Sequence, residues 1–201
     1  NQSIKELMTK SNLITAKEGI SRKEALNILH DKKIEKLIII DKNNKCVGLI
    51  TVTDIEKSQK YPLATKDNIG RLRVAAAIGV GDNGIERASE LINAGIDAII
   101  LDTAHGHSER VIKTLRELRK KFKNSIQLIA GNIATADAAK CLAKEDLDGI
   151  KVGIGPGSIC TTRVIAGVGV PQFSAIKEVY QSIRRKSIPV IADGGIRYSG
   201  D

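Results

Sequence analysis

Glycine, serine, cysteine and threonine crowd into one stretch, Gly149 to Gln172, reading G-I-K-V-G-I-G-P-G-S-I-C-T-T-R-V-I-A-G-V-G-V-P-Q. Its apolar start, Gly149–Gly153, predicts a short buried strand. Gly153, Gly155 and Gly157 at every second position then let backbone approach a ligand closely, with N–H and C=O groups free to face an anion or a cation. Ser158 adds a hydroxyl. Cys160 adds a thiol whose thiolate is a strong nucleophile, which opens covalent catalysis at an electrophilic carbon. The competing reading is a tight turn around a buried, inert cysteine.

The surrounding chain must carry this loop. From Arg71 onward strands and helices alternate: strand 73–80, helix 83–94, strand 98–102, helix 108–122, strand 127–133, helix 134–143, strand 149–153, helix 171–185 and strand 189–193. Such alternation predicts a parallel sheet covered by helices, an α/β fold. Strand starts recur at intervals of roughly 25 residues, the unit of a (β/α)₈ TIM barrel of about 250 residues, so about five of its eight strands are expected here. An open doubly wound sheet is the alternative, but nothing like G-x-G-x-x-G follows the first strand. In a barrel, chemistry gathers at the C-terminal strand ends. Those ends are Gly79-Val80-Gly81, Asp102-Thr103-Ala104-His105-Gly106-His107, Ala130-Gly131-Asn132, the cysteine loop, and Asp193-Gly194-Gly195.

Residues 1–60 read as a separate α+β module. Ser21 and Glu24 make a capping box ahead of the apolar face Ala25, Leu26, Ile28 and Leu29. Leu37–Asp41 and Cys46–Thr51 pair through a turn at Lys42–Lys45, and a short helix starts at Thr53. Thr51 and Asp54 either cap that helix or hold a ligand. The polar stretch 61–68, with Pro62, reads as a linker to a domain over 69–201.

Composition narrows the function classes. The formal charge is +9, with aromatics at 2% and no Trp. The basic excess is shared between both parts of the chain. Its densest runs, Arg119-Lys120-Lys121 and Arg184-Arg185-Lys186, fall where helix C-termini are expected, as solvated cations complementing the helix dipole. Without stacking aromatics, single-stranded nucleic acid is disfavoured as a partner. No run approaches the roughly 20 apolar residues of a membrane span. Three scattered cysteines without C-x-x-C fit a reducing, cytoplasmic compartment rather than a disulfide framework. Cys46 and Cys141 are expected to be packing residues, and His105 and His107 solvated, since no third metal ligand stands nearby.

The order strand, glycines, Ser158, Ile159, Cys160, Thr161-Thr162-Arg163, glycines, Pro171-Gln172 resembles the catalytic loop of the IMP dehydrogenase and GMP reductase family, and the likeness extends over residues 69–201. The run G-L-I-T-V-T-D, Gly48 to Asp54, resembles the ending of a CBS motif, so residues 1–60 look like the second half of a CBS pair inserted into the barrel.

The resemblance implies oxidation of inosine monophosphate (IMP) by NAD to xanthosine monophosphate. Cys160 matches the nucleophile that forms a thioimidate, and Thr162 a threonine near the departing group and water. Ser158, Gly194 and Gly195 match phosphate contacts, and Asp193 the carboxylate that accepts ribose hydroxyls. Asp102, Thr103, Asn132, Gly153, Ile154 and Gly155 match the cofactor pocket. Main-chain carbonyls of Gly155, Gly157 and Cys160 match a potassium site, oxygen ligation being suited to a hard cation.

The resemblance also implies a homotetramer and an adenine or guanine nucleotide at the CBS module. It further implies more chain on both sides: the first CBS motif and two barrel strands before Asn1, a phosphate loop and a flap with an Arg-Tyr pair after Asp201. Two alternatives stay open: the reductase branch, converting GMP to IMP with NADPH, and a non-catalytic nucleotide sensor.

Overall fold

The computed structural model describes residues 2–201, which sort into two compact units, one ending at Leu72 and the other spanning Arg73–Asp201. The first unit carries α1 (Ile4–Leu7), β1 (Thr15–Lys17), α2 (Arg22–Asp31), β2 (Lys36–Ile40), β3 (Cys46–Thr51) and α3 (Val52–Lys60). Its three strands lie in the order β1-β2-β3, with β1 parallel and β3 antiparallel to β2. Ala25 and Leu29 of α2 pack with Leu37, Ile39 and Ile55 in a small core of their own. The turn between β2 and β3 is held by Asp41 Oδ1, which accepts from the N–H groups of Asn43 and Lys45, both at 2.8 Å. The 61–68 stretch folds back within this unit, Lys66 bridging to Leu72. Cys46, expected to pack, is exposed: it opens β3, the edge strand, where its side chain meets solvent.

The second unit runs β4 (Ala75–Ile78), α4 (Asp82–Asn93), β5 (Ala98–Asp102), α5 (Glu109–Phe122), β6 (Gln127–Ile133), α6 (Ala136–Leu142), β7 (Gly149–Val152), α7 (Thr162–Ala166), α8 (Gln172–Ile183) and β8 (Val190–Ala192). All five strands are parallel and lie in chain order, β4-β5-β6-β7-β8. That order decides the architecture. A doubly wound sheet reverses direction at a switch point, whereas a barrel adds each strand to the last. The burial agrees. Ile99, Leu101, Leu128, Ile150 and Val152 are buried beneath helical residues such as Leu115, Ala138 and Val179 in one core. On the opposite face Ile100 and Ile129 are only half-buried and Ile191 is exposed. Helices covering one face, with the other open, make a partial (β/α)₈ barrel.

Among the described residues, no helix is long and apolar enough to cross a membrane.

Candidate functional site

Parallel register places Asp102, Gly131, Lys151 and Ile191 in one row across β5, β6, β7 and β8, on the open face. Asp193 follows two residues after Ile191, so its side chain rises from the same face at the C-terminal end. In the middle of that row Gly131 offers no side chain. A Cβ there would stand 2.6 Å from Lys151 Cβ, so only glycine leaves room for the lysine. Lys151 therefore reaches over β6. Its Nζ lies 3.0 Å from Asp102 Oδ2 and 3.1 Å from Asp193 Oδ2.

Asn132, at the end of β6, completes the cluster. Its Nδ2 donates to Asp193 Oδ2 and to the Gly153 carbonyl, both at 2.8 Å. This hydrogen bond, against the smaller cost of burial and with help from Lys151, holds the Asp193 carboxyl below its ordinary range. For Lys151 burial opposes the charge, but its bonds to the two carboxylates outweigh that and raise its pKa above the usual lysine value. Thr103 is stitched to the neighbouring strand, its N–H and hydroxyl both donating to the Gly131 carbonyl.

The cysteine loop leaves β7 and returns at α8. Gln172, buried at the start of α8, closes it: Nε2 donates 2.8 Å to the Val152 carbonyl, where the loop departs, and 3.2 Å to the Asp193 carbonyl. The Val170 N–H donates to the Ile154 carbonyl and narrows the neck, while Arg163 Nη2 donates to the Val170 carbonyl. The loop tip lies on the Asp193-Gly194-Gly195 turn. Gly194 has φ +77°, and a Cβ on it would meet Gly157 Cα at 3.1 Å, so the two backbones touch as only glycines allow.

Cys160 is exposed on this tip, with Sγ 3.2 Å from Thr162 Oγ1. The Thr162 hydroxyl and N–H can both donate to the thiolate, and the Arg163 charge lies near, so the thiol pKa falls below its ordinary value. The inert, buried cysteine is thus excluded. Ser158 is exposed beside it.

Asp102, Asn132 and Asp193 are joined through one hydrogen-bonded cluster, and the loop bearing Ser158, Cys160 and Thr162 lies against the turn that holds Asp193. The exposed His105 and His107 rings stand 6.5 Å apart, and among the described residues no three metal-ligating side chains converge. Two members escaped the sequence reading. Lys151 shows in the sequence only as one charge within an apolar run, with no sign of its partners, while Gln172 looks like an ordinary helix start. In the first unit, Thr51 and Asp54 form a capping box: Thr51 Oγ1 accepts from the Asp54 N–H at 3.1 Å, and Asp54 Oδ2 accepts from the Thr51 N–H at 3.1 Å.

Residues 34–201 match the model of the IMP dehydrogenase / GMP reductase domain, and residues 4–60 that of the CBS domain. The chain is 55% identical over its whole length to inosine-5'-monophosphate dehydrogenase of Rhizobium tropici, and 54% identical to that of Aquifex aeolicus. It spans 40% and 41% of those two proteins. Among solved structures it is similar to GMP reductase from Trypanosoma brucei in complex with guanosine 5'-monophosphate. That match has a TM-score of 0.77 at 39% identity, covering 98% of this chain and 42% of the reductase.

Proposed function

The chain belongs to the IMP dehydrogenase / GMP reductase family, and from that premise we propose that it serves the NAD-dependent oxidation of IMP to xanthosine monophosphate. The observation that carries this reading is Cys160: an exposed thiol of lowered pKa on a loop seated against the Asp193–Gly195 turn.

The Cys160 thiolate attacks C2 of the purine and forms a carbon–sulfur bond. C2 then gives up its hydride, with both electrons, to bound NAD, leaving a thioimidate on the cysteine. Water adds at C2, the carbon–sulfur bond breaks, and the thiolate leaves xanthosine monophosphate and a proton. Dividing the oxidation in this way replaces one difficult step with two easier ones.

Within the chain, Thr162 holds the thiolate before attack. Ser158 and the backbone of Gly194 and Gly195 suit the substrate phosphate. Asp193 spends Oδ2 on Asn132 and Lys151, which leaves Oδ1 for ribose hydroxyls. Asp102, Thr103, Asn132 and Gly153–Gly155 line the side left for the cofactor. NAD supplies the hydride acceptor.

The loop also suits a potassium ion. The carbonyls of Gly155 and Cys160 accept no backbone hydrogen bond among the described residues, while that of Gly157 accepts from the Cys160 N–H at 3.0 Å and keeps a second lone pair. In the first unit, Arg22, Lys57 and Lys66 line a 540 Å³ cleft with Asp54 and Tyr61, a charge pattern suited to an adenine or guanine nucleotide. The same family membership supports a homotetramer in the cytoplasm.

The reductase reading has one specific observation behind it. The Trypanosoma reductase aligns with 98% of the chain, including the first unit, so a CBS half does not separate the branches. The higher identity to dehydrogenases favours oxidation. The full-length protein incubated with IMP and NAD should produce NADH and show, by mass spectrometry, a purine adduct on Cys160. Cys160→Ala should lower turnover by at least about 10⁴-fold, as expected for loss of a nucleophile. Turnover of GMP with NADPH alone would transfer the assignment to the reductase branch. Absence of turnover with either substrate pair, alongside nucleotide binding at the first unit, would leave a sensor.

A further inference from the structure

Lys151 interrupts a strand whose neighbouring residues, Ile150 and Val152, are fully buried. Its side chain is 15% exposed, yet its ammonium contacts two carboxylates, Asp102 at the end of β5 and Asp193 just after β8. The register that aligns Asp102, Gly131 and Lys151, with a glycine in the middle, makes that span possible. Each carboxylate commits Oδ2 to the lysine, and among the described residues Oδ1 of each accepts no hydrogen bond. Two anions that share one cation are held at a fixed separation, and neither can turn without disturbing the other's partner. Under the function proposed above, on which this inference rests, Asp193 faces the ribose of IMP and Asp102 that of NAD.

We propose that Lys151 is a positioning residue that couples the substrate and cofactor sites, by holding both ribose-binding carboxylates on one ammonium. Substrate hydroxyls on Asp193 Oδ1 fix that carboxylate, which fixes the ammonium, which fixes Asp102 for the cofactor. By reciprocity the cofactor tightens the substrate by the same factor.

The coupling is measured directly on the full-length protein in a Cys160→Ala background, where both ligands bind without reacting. Titration calorimetry gives the NAD dissociation constant with and without saturating IMP. The expected result is that IMP tightens NAD by about 10-fold or more, within the range of such couplings. Lys151→Met, which keeps length and removes charge, should reduce this factor to about 1, and Lys151→Arg should restore it. A coupling factor unchanged in Lys151→Met overturns the proposal, as does the absence of coupling in the parent protein. If Lys151→Met unfolds, Lys151→Gln takes its place. Unfolding of both neutral variants assigns the lysine to stability alone and also overturns the proposal.

Wild-type turnover, assayed separately, keeps the two readings distinct. Coupling that depends on Lys151 in a protein that does not oxidise IMP sinks the assigned reaction and keeps the bridge. Normal oxidation with coupling indifferent to Lys151 does the reverse.

Discussion

At the scale of single residues, the reactivity of Cys160 rests on Thr162. The hydroxyl and N–H of Thr162 are the main causes of the lowered thiol pKa, with Arg163 contributing less. Lowering a thiol pKa increases the thiolate fraction at neutral pH, and alkylation follows the thiolate. In Thr162→Ala the hydroxyl is lost and the N–H remains. The pH midpoint for iodoacetamide labelling of Cys160, read by peptide mass spectrometry, should therefore move up, and labelling at pH 7 should slow. A midpoint that stays in place would show that the backbone and Arg163 suffice. The Asp193 carboxyl shifts in the same direction. Its folded pKa is depressed, so the stability it lends is present above the unfolded value and is lost as pH falls through the folded one. Most of these side chains were legible because loops after strands gather nucleophiles, carboxylates and glycines in one short run. Lys151 was not, because its meaning lies in the register with Gly131 and Asp102, which no local spacing reveals.

Elements position these residues, and the sheet does so from both ends. Opposite the site, Arg119 near the C-terminus of α5 ties the N-terminal ends of β6 and β7. Its Nε donates to the Asp146 carbonyl at 2.7 Å, Nη1 to the carbonyls of Lys123 and Ile126, and Nη2 to Asp148 Oδ2. Asp148 Oδ2 also accepts from the Leu128 N–H, the second residue of β6. A guanidinium is the one side chain whose fork can serve four acceptors at once, so lysine is a poor substitute. Arg119→Met should destabilise the second unit by about 3 kcal/mol, the lower range for breaking a mostly buried pair. That corresponds to a fall of roughly 10 °C in thermal midpoint, measurable by circular dichroism, with Arg119→Lys recovering less than half. The long helices and strands were readable from their periodicity because each buries a regular stripe. The five residues of α7 are too few to show one, and the three of β1 gain their partner, β2, only through a parallel crossover. The helix α3 starts at Val52, one residue before the expected Thr53, directly after the Thr51 cap of the Thr51–Asp54 box.

For the whole molecule, the order of strands carries the most consequence. A sheet that grows one strand at a time closes into a barrel with eight; with five it keeps two edges, β4 and β8. Unpaired edges present rows of N–H and C=O groups that template pairing with another chain. On the open face, Ile191 and exposed Ala75 and Ala77 offer apolar contact as well, and Val164, Ile165 and Phe173 are 87%, 81% and 67% exposed around the loop and α8. Residues 1–201 studied alone should therefore self-associate as concentration rises. Light scattering after size exclusion should show mass increasing across the micromolar range, with higher salt doing little to reverse it, since the contact is apolar and backbone-driven. Ala77→Lys sets a charge on the β4 edge without touching the Lys151 cluster on β5–β8. It should weaken the association by several-fold, as edge lysines do in natural sheets. A sharp monomer at all concentrations would mean that the exposed edges are already covered by the chain itself, and that five strands in this order form a self-sufficient sheet.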